Sequence, residues 1–189
     1  GHMKGGLASA TIVGCAGFSA LSGSSLAAAL TMGRVSLPEM QRYNYDDGLA
    51  TGAIAAGGTL GILIPPSAGF VIYAILTEES IGRLFLAGVF PGIMLTLLFI
   101  IAIWIVVKRD PDKAPQAADA VPMSERVRAL AGAGWIIGIV VLTIGGIYTG
   151  VFSAIEAAGI GAALAFVVTI IRRAVNWPNM KEVFNSTLR

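Results

Sequence analysis

The sequence is poor in the residues from which most active sites are made. Among 189 residues there is one cysteine and one histidine. Cys15 alone cannot close a disulfide within the chain, and its apolar setting fits a small packing residue rather than a reactive thiol. His2 stands in Gly1-His2-Met3, ahead of Lys4, Gly5 and Gly6. That start reads as native sequence or as a cloning remnant, and His2 is assigned no chemistry. Without a Cys/His cluster or a carboxylate-histidine pair, neither a transition-metal centre nor a Ser-His-Asp hydrolase has its parts. A Gly-x-x-x-x-Gly-Lys-Ser/Thr loop is also missing, so the chain has no means of hydrolysing ATP by that route. An enzyme is not expected, and neither is a nucleic-acid partner.

Charge is scarce too. Only 13% of residues are charged and 56% are hydrophobic, with a mean hydropathy of +0.79. A soluble domain would carry about a quarter charged residues. The deficit is concentrated in long apolar runs, which places the chain among all-α integral membrane proteins in a lipid bilayer.

What is present is a set of interrupted apolar segments. Leu7 to Leu21 would make a helix of roughly 22 Å, short of the roughly 30 Å of a bilayer core. Ser22-Gly23-Ser24-Ser25 follows, then a shorter apolar block from Leu26 to Met32 and a polar stretch from Arg34. Two half-length limbs joined by a polar tip predict a re-entrant helical hairpin over residues 7–32, entering and leaving by one face. Ser36 with Glu39 has capping-box spacing, which predicts a short interfacial helix through Arg42, and Asp46 and Asp47 cap the next segment.

That segment, 48–76, is long enough to cross but holds Gly57-Gly58-Thr59-Leu60-Gly61-Ile62-Leu63-Ile64-Pro65-Pro66-Ser67 near its middle. Adjacent prolines remove two amide donors and push the preceding residues out of the α region, so a broken transmembrane helix is expected. Glu78 and Glu79 are read into the first turn of an amphipathic helix that ends at Phe90. Pro91 opens a span over 92–107. Residues 108–130 form a cytoplasmic linker and an amphipathic helix, and 131–189 hold two scaffold-type spans and the start of a cytoplasmic amphipathic helix. Ser153 with Glu156 is a second capping box. Lys and Arg cluster after residue 107 and after residue 171 but are absent from the turn after Tyr148, which puts the first two regions in the cytoplasm.

Inside a bilayer, unwound backbone survives only where protein buries it or where it lines a watery cavity. The hairpin tip and the Gly57–Ser67 break should therefore face each other. Freed carbonyls and Ser/Thr hydroxyls suit a hard cation such as sodium, and helix N-termini suit an anionic group. Secondary transporters build midplane sites in this way. A passive helical scaffold packed through its small residues, or an ion channel using the same carbonyls, would share these features.

The residues also resemble a known family. Gly14-Cys15-Ala16-Gly17-Phe18-Ser19-Ala20-Leu21-Ser22-Gly23-Ser24-Ser25, Leu37-Pro38-Glu39-Met40, Tyr45-Asp46-Asp47 and Gly57 through Ser67 are similar to the large membrane subunit of tripartite ATP-independent periplasmic (TRAP) transporters, the DctM-like family. Leu84-Phe85-Leu86-Ala87-Gly88 and Gly150 to Ala158 continue the match, with Ser153-Ala154-Ile155 where the family more often has Thr-Pro-Thr. The resemblance implies a sodium-coupled, elevator-type importer of organic acids in the bacterial inner membrane. Its partners would be a small DctQ-like membrane subunit and a periplasmic DctP-like solute-binding protein. On that analogy Ser22, Gly23, Ser24, Gly57, Thr59, Gly61 and Pro65 hold sodium, and Ser24, Ser25, Pro66 and Ser67 form one wall of the substrate site. The chain is expected to be a fragment, half of an inverted-repeat transporter, lacking N-terminal spans and a second hairpin.

Overall fold

The computed structural model describes residues 4–115 and 123–171. All regular structure among them is helical. The order is α1 (Gly6–Ser22), α2 (Ser25–Arg42), α3 (Asp47–Leu63), α4 (Ala68–Thr77), α5 (Ile81–Arg109), a 3-10 turn (Pro111–Lys113), α6 (Met123–Tyr148) and α7 (Ala154–Ile171). Two compact units divide the chain at residue 127. The expected amphipathic helix at the C-terminal end lies outside the described residues.

In the first unit, α1 and α2 form the hairpin and α3 packs along both. Its base is tied at one end of the unit. The Tyr45 hydroxyl accepts a hydrogen bond from the Leu7 amide at 3.3 Å, and the Asp46 amide donates to the Lys113 carbonyl at 2.9 Å. Gly5 lies against Val107 and Ile103 of α5. Both ends of the hairpin, the start of α3 and the end of α5 thus share one level, while the hairpin tip lies at the other end of α1. Ala8, Ile12, Met40, Ala53, Leu60 and Ile103 form the apolar core between these helices.

Three expectations about segment ends are corrected. The polar stretch after Met32 does not start a separate interfacial helix, because α2 runs unbroken through Gly33 and Pro38 to Arg42. Gly33 packs toward Ile54, and one glycine costs a helix only about 1 kcal/mol. Ser36 is buried within α2 instead of capping a new helix. Pro91 likewise lies inside α5, which is a single helix of 29 residues. The acids Glu78 and Glu79 precede α5; Glu78 ends α4 at φ 57°, and the cap of α5 is Ser80, whose hydroxyl accepts from the Arg83 amide at 3.5 Å.

The break after Leu63 is present as expected. Ile64 is extended, the Pro65–Pro66 peptide is cis, and α4 begins only at Ala68. The stretch Asp47–Thr77, interrupted there, and the continuous α5 are each long and apolar enough to cross a membrane. Asp46 caps α3, its carboxylate accepting from the Leu49 amide at 2.9 Å.

In the second unit α7 opens with the expected capping box. The Ser153 hydroxyl accepts from the Glu156 amide at 3.2 Å, and the Glu156 carboxylate accepts from the Ser153 amide at 2.8 Å. Gly161 of α7 packs against the Thr143 methyl of α6.

Candidate functional site

The Ser-Gly-Ser-Ser cluster divides its work residue by residue. Ser22 is the last residue of α1, and Gly23 caps it in the left-handed region at φ 60°, donating its amide to the Ser19 carbonyl at 3.0 Å. Glycine holds that conformation without the steric cost of a Cβ. Ser24 is extended, and its hydroxyl accepts from the Ala27 amide at 3.3 Å, so it is the N-cap of α2. The Ser22 hydroxyl sits 3.4 Å from both the Ser24 amide and the Ser24 carbonyl oxygen. One helix is closed and the next opened within two residues.

The break in the second segment mirrors this. Ile64 donates its amide to the Leu60 carbonyl at 2.8 Å, closing α3, and Ser67 stands at the N-cap position of α4. The Ser67 hydroxyl makes no cap bond. The residue is 1% exposed and its oxygen has no hydrogen-bond partner.

Tip and break meet. A Cβ at Gly61 would stand 2.7 Å from the Ser25 nitrogen and 2.9 Å from the Ser24 oxygen, and one at Gly58 would stand 2.7 Å from the Ala29 Cβ. A Cβ at Gly23 would lie 2.5 Å from the Pro66 oxygen. The Ala68 amide donates to the Gly23 carbonyl at 3.3 Å, a direct bond between the two interruptions. The C-terminal ends of α1 and α3 and the N-terminal ends of α2 and α4 therefore gather in one place. No charged residue occurs between Lys4 and Arg34 or between Asp47 and Glu78. The local field is consequently that of the backbone, partly negative at the two C-termini and partly positive at the two N-termini.

Of the residues singled out from the sequence, Ser22, Gly23, Ser24, Ser25, Gly61, Pro66 and Ser67 lie at this meeting, with Pro65 buried between Ile64 and Pro66. Gly57 sits lower along α3, where a Cβ would stand 2.6 Å from the Cys15 sulfur. Thr59 is exposed, and its hydroxyl donates to the Ala56 carbonyl at 2.6 Å. It is not brought to the tip.

Two features escaped the sequence reading. Ser19 is completely buried, and its hydroxyl has no partner. It lies one turn from both Cys15 of α1 and its C-cap Gly23, the residues that touch Gly57 and Pro66, so it shares their face toward the break. That i, i+4 spacing of small residues was the available signal. The second is the wall supplied by α5. Gly88 fits under the Phe70 ring, and a Cβ there would come 2.7 Å from the Leu63 oxygen; one at Gly92 would lie 2.9 Å from Ile64. The helix that carries Pro91 thus covers the unwound stretch, as buried irregular backbone in a membrane requires.

The model of the DctM component of the tripartite ATP-independent periplasmic transporters matches residues 1–189. The chain belongs to the DctM family. It is 41% identical over 174 residues to the C4-dicarboxylate TRAP transporter large permease protein of Pseudomonas aeruginosa, covering 92% of this chain and 40% of the relative. The ectoine/5-hydroxyectoine TRAP transporter large permease of Ruegeria pomeroyi is 38% identical, with 99% of this chain and 43% of the relative covered. The sialic acid TRAP transporter permease of Haemophilus influenzae is 34% identical, covering all of this chain and 30% of the relative. The chain thus spans less than half the length of these DctM-family relatives, and the family is one of membrane-embedded transporter permeases.

Proposed function

We propose that this chain is the part of a TRAP large permease that forms one cation site and one wall of a substrate site, in a sodium-coupled importer of organic acids. The observation that carries the reading is the contact of Gly61 with Ser24 and Ser25, together with the Gly23–Ala68 hydrogen bond, which draws four helix ends together without a charged side chain. Carbonyl oxygens at the ends of α1 and α3, with hydroxyls of Ser22 and Ser24 and the backbone of Gly61 and Pro65, suit sodium, which prefers hard oxygen donors. Gly57 contributes by admitting α1. Ser25, Pro66 and Ser67, at the starts of α2 and α4, face an anionic group, for which helix N-termini are suited.

The relatives are named for C4-dicarboxylate, ectoine, sialic acid and isethionate. Each of these compounds bears a carboxylate or sulfonate, and an organic acid, recognised by its carboxylate, is the substrate class proposed here. Uptake in the bacterial inner membrane would use a small DctQ-like subunit and a DctP-like periplasmic binding protein.

The test is uptake by the intact permease in proteoliposomes with its small subunit and binding protein. Uptake should require an inward sodium gradient. Ser24→Ala should raise the sodium concentration for half-maximal uptake severalfold, and Thr59→Ala, whose hydroxyl is engaged by Ala56, should raise it less. Uptake that ignores both the gradient and Ser24→Ala would leave only a passive scaffold, and solute flux without the binding protein would favour a channel.

A further inference from the structure

At the level of the hairpin base, far along α1 from the tip, an apolar groove of about 470 Å³ runs between α1 and α5. Its walls are Ser9, Ala10 and Val13 on one side and Ile100, Ile101 and Trp104 on the other, and Lys4 stands at its end. From Gly6 to Val13 it follows α1 for about 10 Å, most of the roughly 15 Å depth of one leaflet's hydrocarbon. The mouth is cationic. Lys108 holds its ammonium 4.8 Å from the centre of the Trp104 ring, above the groove's aromatic wall. Among the described residues no carboxylate lies within ion-pairing distance of Lys4 or Lys108, and the nearby Asp110 is paired with Lys113 at 3.7 Å. No acidic residue lines the groove.

An apolar channel of leaflet depth, with an interfacial tryptophan and two cations at its rim, has the chemistry of a lipid with an anionic headgroup. We infer that this groove binds an anionic glycerophospholipid, one acyl chain lying between Ala10 and Ile101 and the phosphate resting between Lys4 and Lys108. Both walls belong to the unit that carries the hairpin, so the lipid would brace the hairpin base against α5. The inference is independent of any cation at the tip.

Native mass spectrometry of the intact permease with added phosphatidylglycerol or phosphatidylcholine tests it. Phosphatidylglycerol should be retained at least tenfold more strongly. Lys4→Gln and Lys108→Gln should each weaken its retention about fivefold, as expected for one cation near an anionic surface. Ala10→Phe, which fills an exposed part of the groove, should abolish retention of that lipid, and Arg83→Gln near the start of α5 should change nothing. Equal retention of the two lipids, retention indifferent to Ala10→Phe, or no retention because another segment of the permease covers the groove would each overturn the assignment.

Discussion

Gly61 of α3 and Ser24 of the hairpin tip approach so closely that a methyl group on Gly61 would stand 2.8 Å from the Ser24 carbonyl carbon. The atoms it would meet, at Ser24 and Ser25, are backbone rather than the movable end of a side chain. Contact here is main chain against main chain, which is why the two interruptions can share one small space.

Gly61→Ala should therefore force the tip off the break. Overpacking of this kind typically costs about 1–3 kcal/mol. We expect a lowered Tm of the intact permease and a loss of sodium-dependent uptake. Gly52→Ala on the same helix meets nothing within 4 Å and should leave both intact. Equal behaviour of the two variants in a thermal-shift assay would contradict the contact.

At Gly23 two costs add. Alanine in the left-handed region is disfavoured by about 1–2 kcal/mol, and its Cβ would lie 2.5 Å from the Pro66 oxygen. Gly23→Ala should abolish uptake. Gly17→Ala in the middle of α1, with open space around it, should be neutral or stabilise the helix by about 1 kcal/mol. Uptake and Tm measured on the pair separate a need for glycine at the tip from a general intolerance of methyl groups in α1.

Much of this was legible in the sequence because the two interruptions are locally unambiguous. Pro65 and Pro66 remove two successive donors, and Ser22 to Ser25 contain both a left-handed cap and a hydroxyl N-cap. Pro91 was misread for the same reason that Pro65 was read correctly. A single proline forfeits one hydrogen bond, and packing decides whether the helix continues. At Pro91 the flanking Gly88 and Gly92 lie on Phe70 and Ile64, so α5 gains more by continuing against the break than by ending. Ser19 was missed because its role depends on burial, and a serine in an apolar helix gives no local sign of lacking a partner. Thr59 was placed at the tip because it falls within the glycine motif, but the helix turns it away from the face that Gly58 and Gly61 share.

Tyr45 makes a further test at the hairpin base. α1 has no side-chain cap of its own, and the Tyr45 hydroxyl accepts the Leu7 amide from 38 residues away. Tyr45→Phe should lower stability by about 1 kcal/mol and speed hydrogen exchange in the first turn of α1. Burial pushes the Tyr45 phenol above its ordinary value of 10.0, the Leu7 amide pulling weakly the other way. A folded-state value above the unfolded one means that the phenol's contribution is complete below pH about 10 and is lost as pH rises through the folded value. The stability gap between wild type and Tyr45→Phe should accordingly be flat at neutral pH and close in alkali. A gap that opens only below pH 8 would refute the role given to this hydroxyl.

Ser67 and Ser19 separate a structural from a ligand-binding use of buried hydroxyls. A buried hydroxyl without a partner costs about 1–3 kcal/mol, so a purely structural site gains by losing it. Ser67→Ala and Ser19→Ala should each raise the Tm of the intact permease in sodium-free buffer, or leave it unchanged. If these oxygens complete the cation and substrate sites, the same variants should lose most of the stabilisation that sodium and substrate give the wild type, since a ligand stabilises only the state that binds it. Thermal shifts across a sodium titration, with choline as the replacement cation, read both effects at once. Variants that gain stability without sodium yet respond to it as strongly as the wild type would remove these two serines from the site, leaving the ion to the carbonyls of α1 and α3 and the hydroxyls of Ser22 and Ser24.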